Sequence, residues 1–278
     1  MSAGTETSTS ASTSSIRPKK PAPSPFSILG SIAFLALTLV TAWDWEYGVG
    51  LSLADLIDGL QRNNSPLQGL LDPDFSRIVA DRSREAFLET LQMAVIGTVL
   101  GCAAALPLAL LSTRIGAPNR VTYYLAKNVS NVIRALPDLV WALLFVAALS
   151  VGTLPGIFAL FFFSIAVTAK LTADTVDGID PGPIEAARAS GASHLQTLRT
   201  AVVPQILPAY TSWALYTFEL NLRASAVLGF VGAGGIGSVI NFHRGRGEWS
   251  QVWGIVVMFF LIVVVVERIS VTVRRRLL

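Results

Sequence analysis

Ala135-Leu-Pro-Asp-Leu-Val-Trp-Ala-Leu-Leu-Phe-Val-Ala-Ala-Leu-Ser-Val-Gly152-Thr-Leu-Pro155-Gly156-Ile-Phe-Ala-Leu-Phe-Phe-Phe-Ser-Ile-Ala-Val-Thr-Ala169 is the stretch that decides the fold. It is too long for one membrane crossing, because about twenty residues at a rise of 1.5 Å span the ~30 Å hydrocarbon layer. Gly152-Thr-Leu-Pro155-Gly156 interrupts it with turn-forming residues. It therefore reads as two helices, 135–152 and 155–173, joined by a tight turn.

Outward from that pair, apolar runs recur at 26–43, 90–112, 204–226 and 251–271, which makes six crossings and an all-α polytopic membrane protein. Of the 278 residues, 52% are apolar and only 14% charged, against roughly 25% charged in a soluble domain. Mean hydropathy is +0.58. Disorder, a soluble domain and a disulfide scaffold are excluded for the bulk of the chain. The single cysteine, Cys102, lies in an apolar run and forms no internal bridge. A net charge of +3 and a pI near 9.2 suit nucleic acid until the basic residues are located. They flank the apolar runs, so the expected partner is the lipid bilayer and not nucleic acid. With the N-terminal tail inside, Lys and Arg split 14 to 7 between inner and outer segments, which places both termini in the cytoplasm.

Residues 1–25 are small, polar and proline-rich, and read as a disordered cytoplasmic tail. The run 26–43 follows Arg17, Lys19 and Lys20 as a signal peptide would. Its length, the lack of an A-x-A site and the crossings beyond it favour an uncleaved anchor. Residues 44–89 form a polar extracytoplasmic segment, in which Ser52–Leu60 has the spacing of a helix lying on the membrane surface. Residues 90–278 are the core.

The longest inner interruption, 174–203, is organised as two short helices. Asp180 caps one that opens at Pro181, and Gly191 supplies the left-handed residue that ends it. Ser193-x-x-Gln196 opens the second as a capping box, and Pro204 and Pro208 break and restart the chain at the membrane. On pattern alone this is equally an ordinary helical hairpin. Glu185-Ala186-Ala187, Gly191 three residues on, and Val203-Pro204 in register resemble the EAA loop of ABC importer permeases, E-A-A-x3-G-x9-I-x-L-P, with Ala201 for Ile and Val203 for Leu. Arg134-Ala-Leu-Pro-Asp-Leu-Val-Trp-Ala-Leu-Leu-Phe145 and Phe218-Glu-Leu-Asn-Leu-Arg-Ala-Ser-Ala-Val-Leu-Gly-Phe-Val-Gly-Ala-Gly-Gly-Ile-Gly237 resemble the phosphonate- and phosphate-type branch, over about residues 85–275.

The resemblance implies a type I ABC importer permease in a bacterial cytoplasmic membrane. It works as a homodimer with two ATPase subunits and an extracytoplasmic binding protein. It also implies that Glu185, Ala186, Ala187, Gly191 and Pro204 couple to the ATPase. MgATP would be bound by that partner, because no Walker A sequence, H-E-x-x-H or G-x-S-x-G occurs here. No cofactor, metal or catalytic residue is expected in the chain itself.

Gly232-x-Gly234-x-x-Gly237 matches a dinucleotide fingerprint in form only, since it follows a membrane helix. Gly229, Gly232, Gly234, Gly235 and Gly237 read instead as a hinged or re-entrant gate toward the outer face, or as a plain glycine-rich loop. Charges within crossings are functional candidates. Arg134 with Asp138, and Glu219 with Arg223, stand four apart, each able to neutralise itself on one helix face. They are either structural pairs or, with Asn221, part of an anion-lined path. Gly97, Gly101 and Ala105 form a small-residue stripe for close packing, within or between subunits. The rivals are an ion-coupled secondary transporter of a small anion, which predicts inverted repeats and embedded carboxylates, and a membrane enzyme, for which no nucleophile or metal constellation is present.

Overall fold

A computed structural model describes residues 24–42, 54, 57–59, 64–76 and 81–277, and all regular structure among them is helical. The tail up to residue 23 and most of the surface helix expected at Ser52–Leu60 lie outside the described residues. The chain divides into two units, 1–63 and 64–278. In the first, α1 (Pro25–Ala42) is apolar on every side, with Phe26 87% and Leu29 65% exposed. An all-round apolar surface suits hydrocarbon.

The second unit runs α2 (Ser65–Leu71), α3 (Asp81–Leu111), α4 (Arg120–Ala135), α5 (Asp138–Leu149), α6 (Thr153–Asp177), α7 (Gly182–Ala189), α8 (His194–Thr197), α9 (Val203–Leu228), α10 (Gly235–Gly245) and α11 (Trp249–Leu277). Among the described residues, α3, α6 and α11 are each long and apolar enough to cross a membrane. Two bent pairs, α4–α5 at 86° and α9–α10 at 44°, raise that number to five if each is one span.

The small-residue stripe packs within the chain. A Cβ on Gly97 would lie 2.7 Å from Leu160 Cβ, and one on Gly101 only 2.3 Å from Ser164 Cβ. Ala105 is buried with Ala169. The matched spacing makes α3 and α6 parallel neighbours. Lipid supplies little drive for helix association, so close backbone approach and interhelical hydrogen bonds must hold them.

Helix α9 completes this core through a buried polar seam. Asn221 Nδ2 donates to Thr98 Oγ1 and to Ser164 Oγ, both at 2.7 Å. Thr168 Oγ1 lies 2.9 Å from Thr217 Oγ1 and 3.5 Å from Cys102 Sγ. The Tyr210 hydroxyl donates to the Cys102 carbonyl at 2.7 Å.

Three expectations change. The crossing at 135–152 is a sharp elbow, because Pro137 cannot continue α4 and Leu136 is extended, leaving α5 only 12 residues long. Helix α3 begins at Asp81, so the end of the 44–89 segment is already helical. Pro204 and Pro208 do not break the chain. A π turn, Leu198–Val202, precedes α9, Pro204 takes its second position and Pro208 lies inside it. The wider turn shifts the hydrogen-bond ladder where the missing proline N–H would otherwise interrupt it.

Candidate coupling and translocation site

The hairpin α7–α8 is built by local signals. Asp180 Oδ1 accepts from Gly182 N at 2.9 Å, so α7 opens one residue later than expected, with Pro181 as its cap. Ile184 anchors the underside against Val176, Leu198, Val202 and Ile206. Gly191 has φ +82°, its N–H donates to the Arg188 carbonyl, and Ala192 N donates to the Ala187 carbonyl, both at 3.0 Å. That pair of bonds satisfies the carbonyls of the last turn, and a Cβ would be strained at this φ. Ser193 and Gln196 form the expected reciprocal capping box. His194 Nε2 lies 3.0 Å from the Gly116 carbonyl and ties the hairpin to the turn after α3. Glu185, Ala186 and Gly191 face outward, Ala187 is half-buried and Pro204 is exposed. Leu195 is 75% exposed. The hairpin thus presents one carboxylate and a small apolar surface on a rigid base.

At the other end, the glycine segment joins α9 to α10 between two helices, with no preceding strand, which removes the dinucleotide reading. Gly232, Gly234 and Gly235 have φ of +91°, +78° and +68°. Gly229 and Gly237 allow backbones to touch, since a Cβ on Gly237 would meet the Ala226 carbonyl oxygen at 1.9 Å. Glu89 Oε2 accepts from Gly235 N at 3.0 Å, and Thr90 Oγ1 from Ile236 N at 2.7 Å. A carboxylate at the start of a helix satisfies orphan donors and complements the helix dipole. No sequence motif marks Glu89 and Thr90. The available signal was a carboxylate at the edge of an apolar run.

The charged candidates pair differently from expectation. Glu219 accepts from Arg274 at 2.6 Å and Glu267 from Arg223 at 2.9 Å, so each residue of the α9 pair bonds across to α11 instead of to the other. The antiparallel approach of α11 offers an opposite charge to each, and a partner on a neighbouring helix also ties the two helices together. Glu219 is 5% exposed, whereas the side chains of Arg223 and Glu267 are 49% and 47% exposed. Asn221 turns away from both into the seam, where it meets Ser164 midway along α6. Arg134 and Asp138 stand on either side of the 86° elbow. No ion pair joins them among the described residues. Both line a cleft of about 510 Å³ with Trp141, Tyr216 and Leu220.

Residues 97–278 match the family described as binding-protein-dependent transport system inner membrane component. The chain is 38% identical over 243 residues to the phosphate-import permease protein PhnE of Mycolicibacterium smegmatis, an alignment covering 87% of this chain and 44% of that one. It thus spans less than half the length of that relative. It is 33% identical over 248 residues to the phosphite transport system permease protein PtxC of Stutzerimonas stutzeri, covering 89% and 88%. Among solved structures it resembles an inward-facing MetNI methionine ABC transporter chain, with a TM-score of 0.61 and 26% identity over 70% of this chain and 95% of that one. The chain belongs to the binding-protein-dependent transport system inner membrane components, the permease family of ABC importers.

Proposed function

We propose that the chain is the membrane-spanning subunit of an importer for a phosphorus oxyanion, such as phosphonate, phosphate or phosphite. It crosses the bacterial cytoplasmic membrane six times with both termini inside. It acts as a homodimer with two ATPase subunits, which bind MgATP, and with an extracytoplasmic binding protein. The permease names of relatives that align over most of this chain support the cargo class. The observation that carries the coupling role is the hairpin: Glu185, Ala186 and Leu195 are exposed on a base that is buried and capped at every turn. A free surface of that kind, held rigidly, transmits force to a docked subunit. We assign Arg134, Asp138, Glu219, Asn221 and Arg223 to the path and the glycine corner to its outer gate; the cleft that Arg134 and Asp138 share supports the assignment of those two.

The test is ATP-driven uptake of labelled methylphosphonate by vesicles containing permease, ATPase and binding protein. Glu185→Lys reverses the hairpin's charge, and Gly191→Val forces a β-branched residue to positive φ. Both should insert normally while co-purification with the ATPase and coupled hydrolysis fall. Wild-type coupling in both would remove the hairpin from this role.

A further inference from the structure

Beside the coupling hairpin lies a second cavity of about 340 Å³, between the end of α3, one face of α4 and the last turns of α6. It opens at the hairpin end, because α7 follows α6 directly and His194 is bonded to the Gly116 carbonyl just past α3. Arg114, Lys127 and Arg134 line it, and none has an ion-pair partner among the described residues. The Tyr123 hydroxyl accepts from Lys127 Nζ at 2.8 Å, which draws that ammonium to the wall of the cavity. Ser130 and Asn131 add neutral hydrogen-bonding groups. Two carboxylates also face it. Asp174 is already taken by Lys170 in an ion pair, which leaves Asp177 facing three cations that have no ion-pair partner among the described residues.

This cavity adjoins the cleft at the elbow. Arg134 and Lys170 line both, and the cleft continues upward past Trp141, Tyr216 and Leu220. Cationic groups therefore stand at the coupling end of the groove that runs up toward mid-span. A small dianion leaving the apolar cleft finds there its first full set of charge-assisted donors. Transport needs such a station to attract the ion and still release it. An excess of cations tempered by Asp174 and Asp177, in a cavity open to water, meets both demands.

We propose that Arg114, Lys127 and Arg134 form a weak binding site for a phosphate-like oxyanion at the coupling end of the bundle, the last station of the cargo before release. The inference rests on the oxyanion reading above. The same chemistry is presented by the phosphate of an anionic lipid headgroup, and the experiment separates the two.

The full-length chain with Cys102→Ala and Asn131→Cys is placed in phosphatidylcholine nanodiscs, which expose both faces. Its modification by sulfonatoethyl methanethiosulfonate is timed with and without millimolar methylphosphonate. The anion should slow modification several-fold at Asn131→Cys and leave a Ser193→Cys control on the hairpin unchanged. Protection should vanish when Arg114→Gln and Lys127→Gln are added, with elution of the protein unaltered. No slowing by methylphosphonate, inorganic phosphate or sulfate would overturn the site, as would equal slowing at both cysteines. Discs containing phosphatidylglycerol that protect Asn131→Cys, with no further effect of oxyanion, would overturn it in favour of a lipid headgroup. Protection by sulfate alone upholds the anion site and removes the phosphorus cargo assignment.

Discussion

Glu219 accepts its hydrogen bond from Arg274, in the last turn of α11, and that arrangement decides how its substitution behaves. A carboxylate 5% exposed in a membrane bundle has no water to fall back on when its partner is removed. Breaking a buried pair by removing one member costs about 3–5 kcal/mol, while neutralising both together is far cheaper. Glu219→Gln and Arg274→Gln should each lower the unfolding temperature in detergent, at the low end of that range because the Arg274 side chain is 22% exposed. The double variant should recover most of the loss, and a double-mutant cycle of thermal unfolding measures the coupling. The exposed pair should behave oppositely. On the proposed water-lined path, where solvent would screen it from Glu267, Arg223→Gln should cost less than about 1 kcal/mol. If Arg223→Gln assembles normally and yet abolishes uptake, its role is in the path and not in the fold.

Between elements, the two glycines of α3 carry the packing. Gly101→Val would bring a branched side chain into the space of Ser164 and the Phe161 carbonyl, and should cost about 3 kcal/mol or more through forced separation of α3 from α6. Loss of thermal stability in detergent, with insertion retained, is the expected result. The turn from α10 to α11 gives a pH effect. His243 first and Arg246 second hydrogen-bond Glu248 and hold its carboxyl below the usual range. A group depressed on folding stabilises above its unfolded pKa, and that contribution is lost as pH falls through the folded value. The turn should therefore loosen under acid, and Glu248→Gln should remove the dependence. Backbone hydrogen exchange at Gly245–Trp249, corrected for intrinsic rates, reads it. The helix ends were legible in the sequence because their signals are local, as at Asp180, Gly191 and Ser193. The partners of Glu219 and Arg223 were not. An ion pair between antiparallel helices depends on a register that only packing fixes, and Arg274 was indistinguishable from its basic neighbours Arg275 and Arg276.

For the whole molecule, the proposed topology predicts that cysteines at Ser65 and Ser193, in a Cys102→Ala background, label from opposite faces of intact cells. An impermeant reagent should reach only the first. Apolar runs made the long helices α3, α6 and α11 legible, whereas the elbow at Pro137, at the start of a run that reads as one crossing, was not. The seam joining α3, α6 and α9 bears on how such a bundle is able to move. Its polar groups recur every fourth residue, at Thr98 and Cys102, at Ser164 and Thr168, and at Thr217 and Asn221. It therefore works like the teeth of a rack. Shifting α9 along its neighbours by anything less than one helical turn, about 5.4 Å, leaves amide and hydroxyl groups unpaired in hydrocarbon. Gradual sliding is thus barred at mid-depth. These three helices should therefore move as a single lever, with the bending expected at the elbow on one side and the glycine corner on the other.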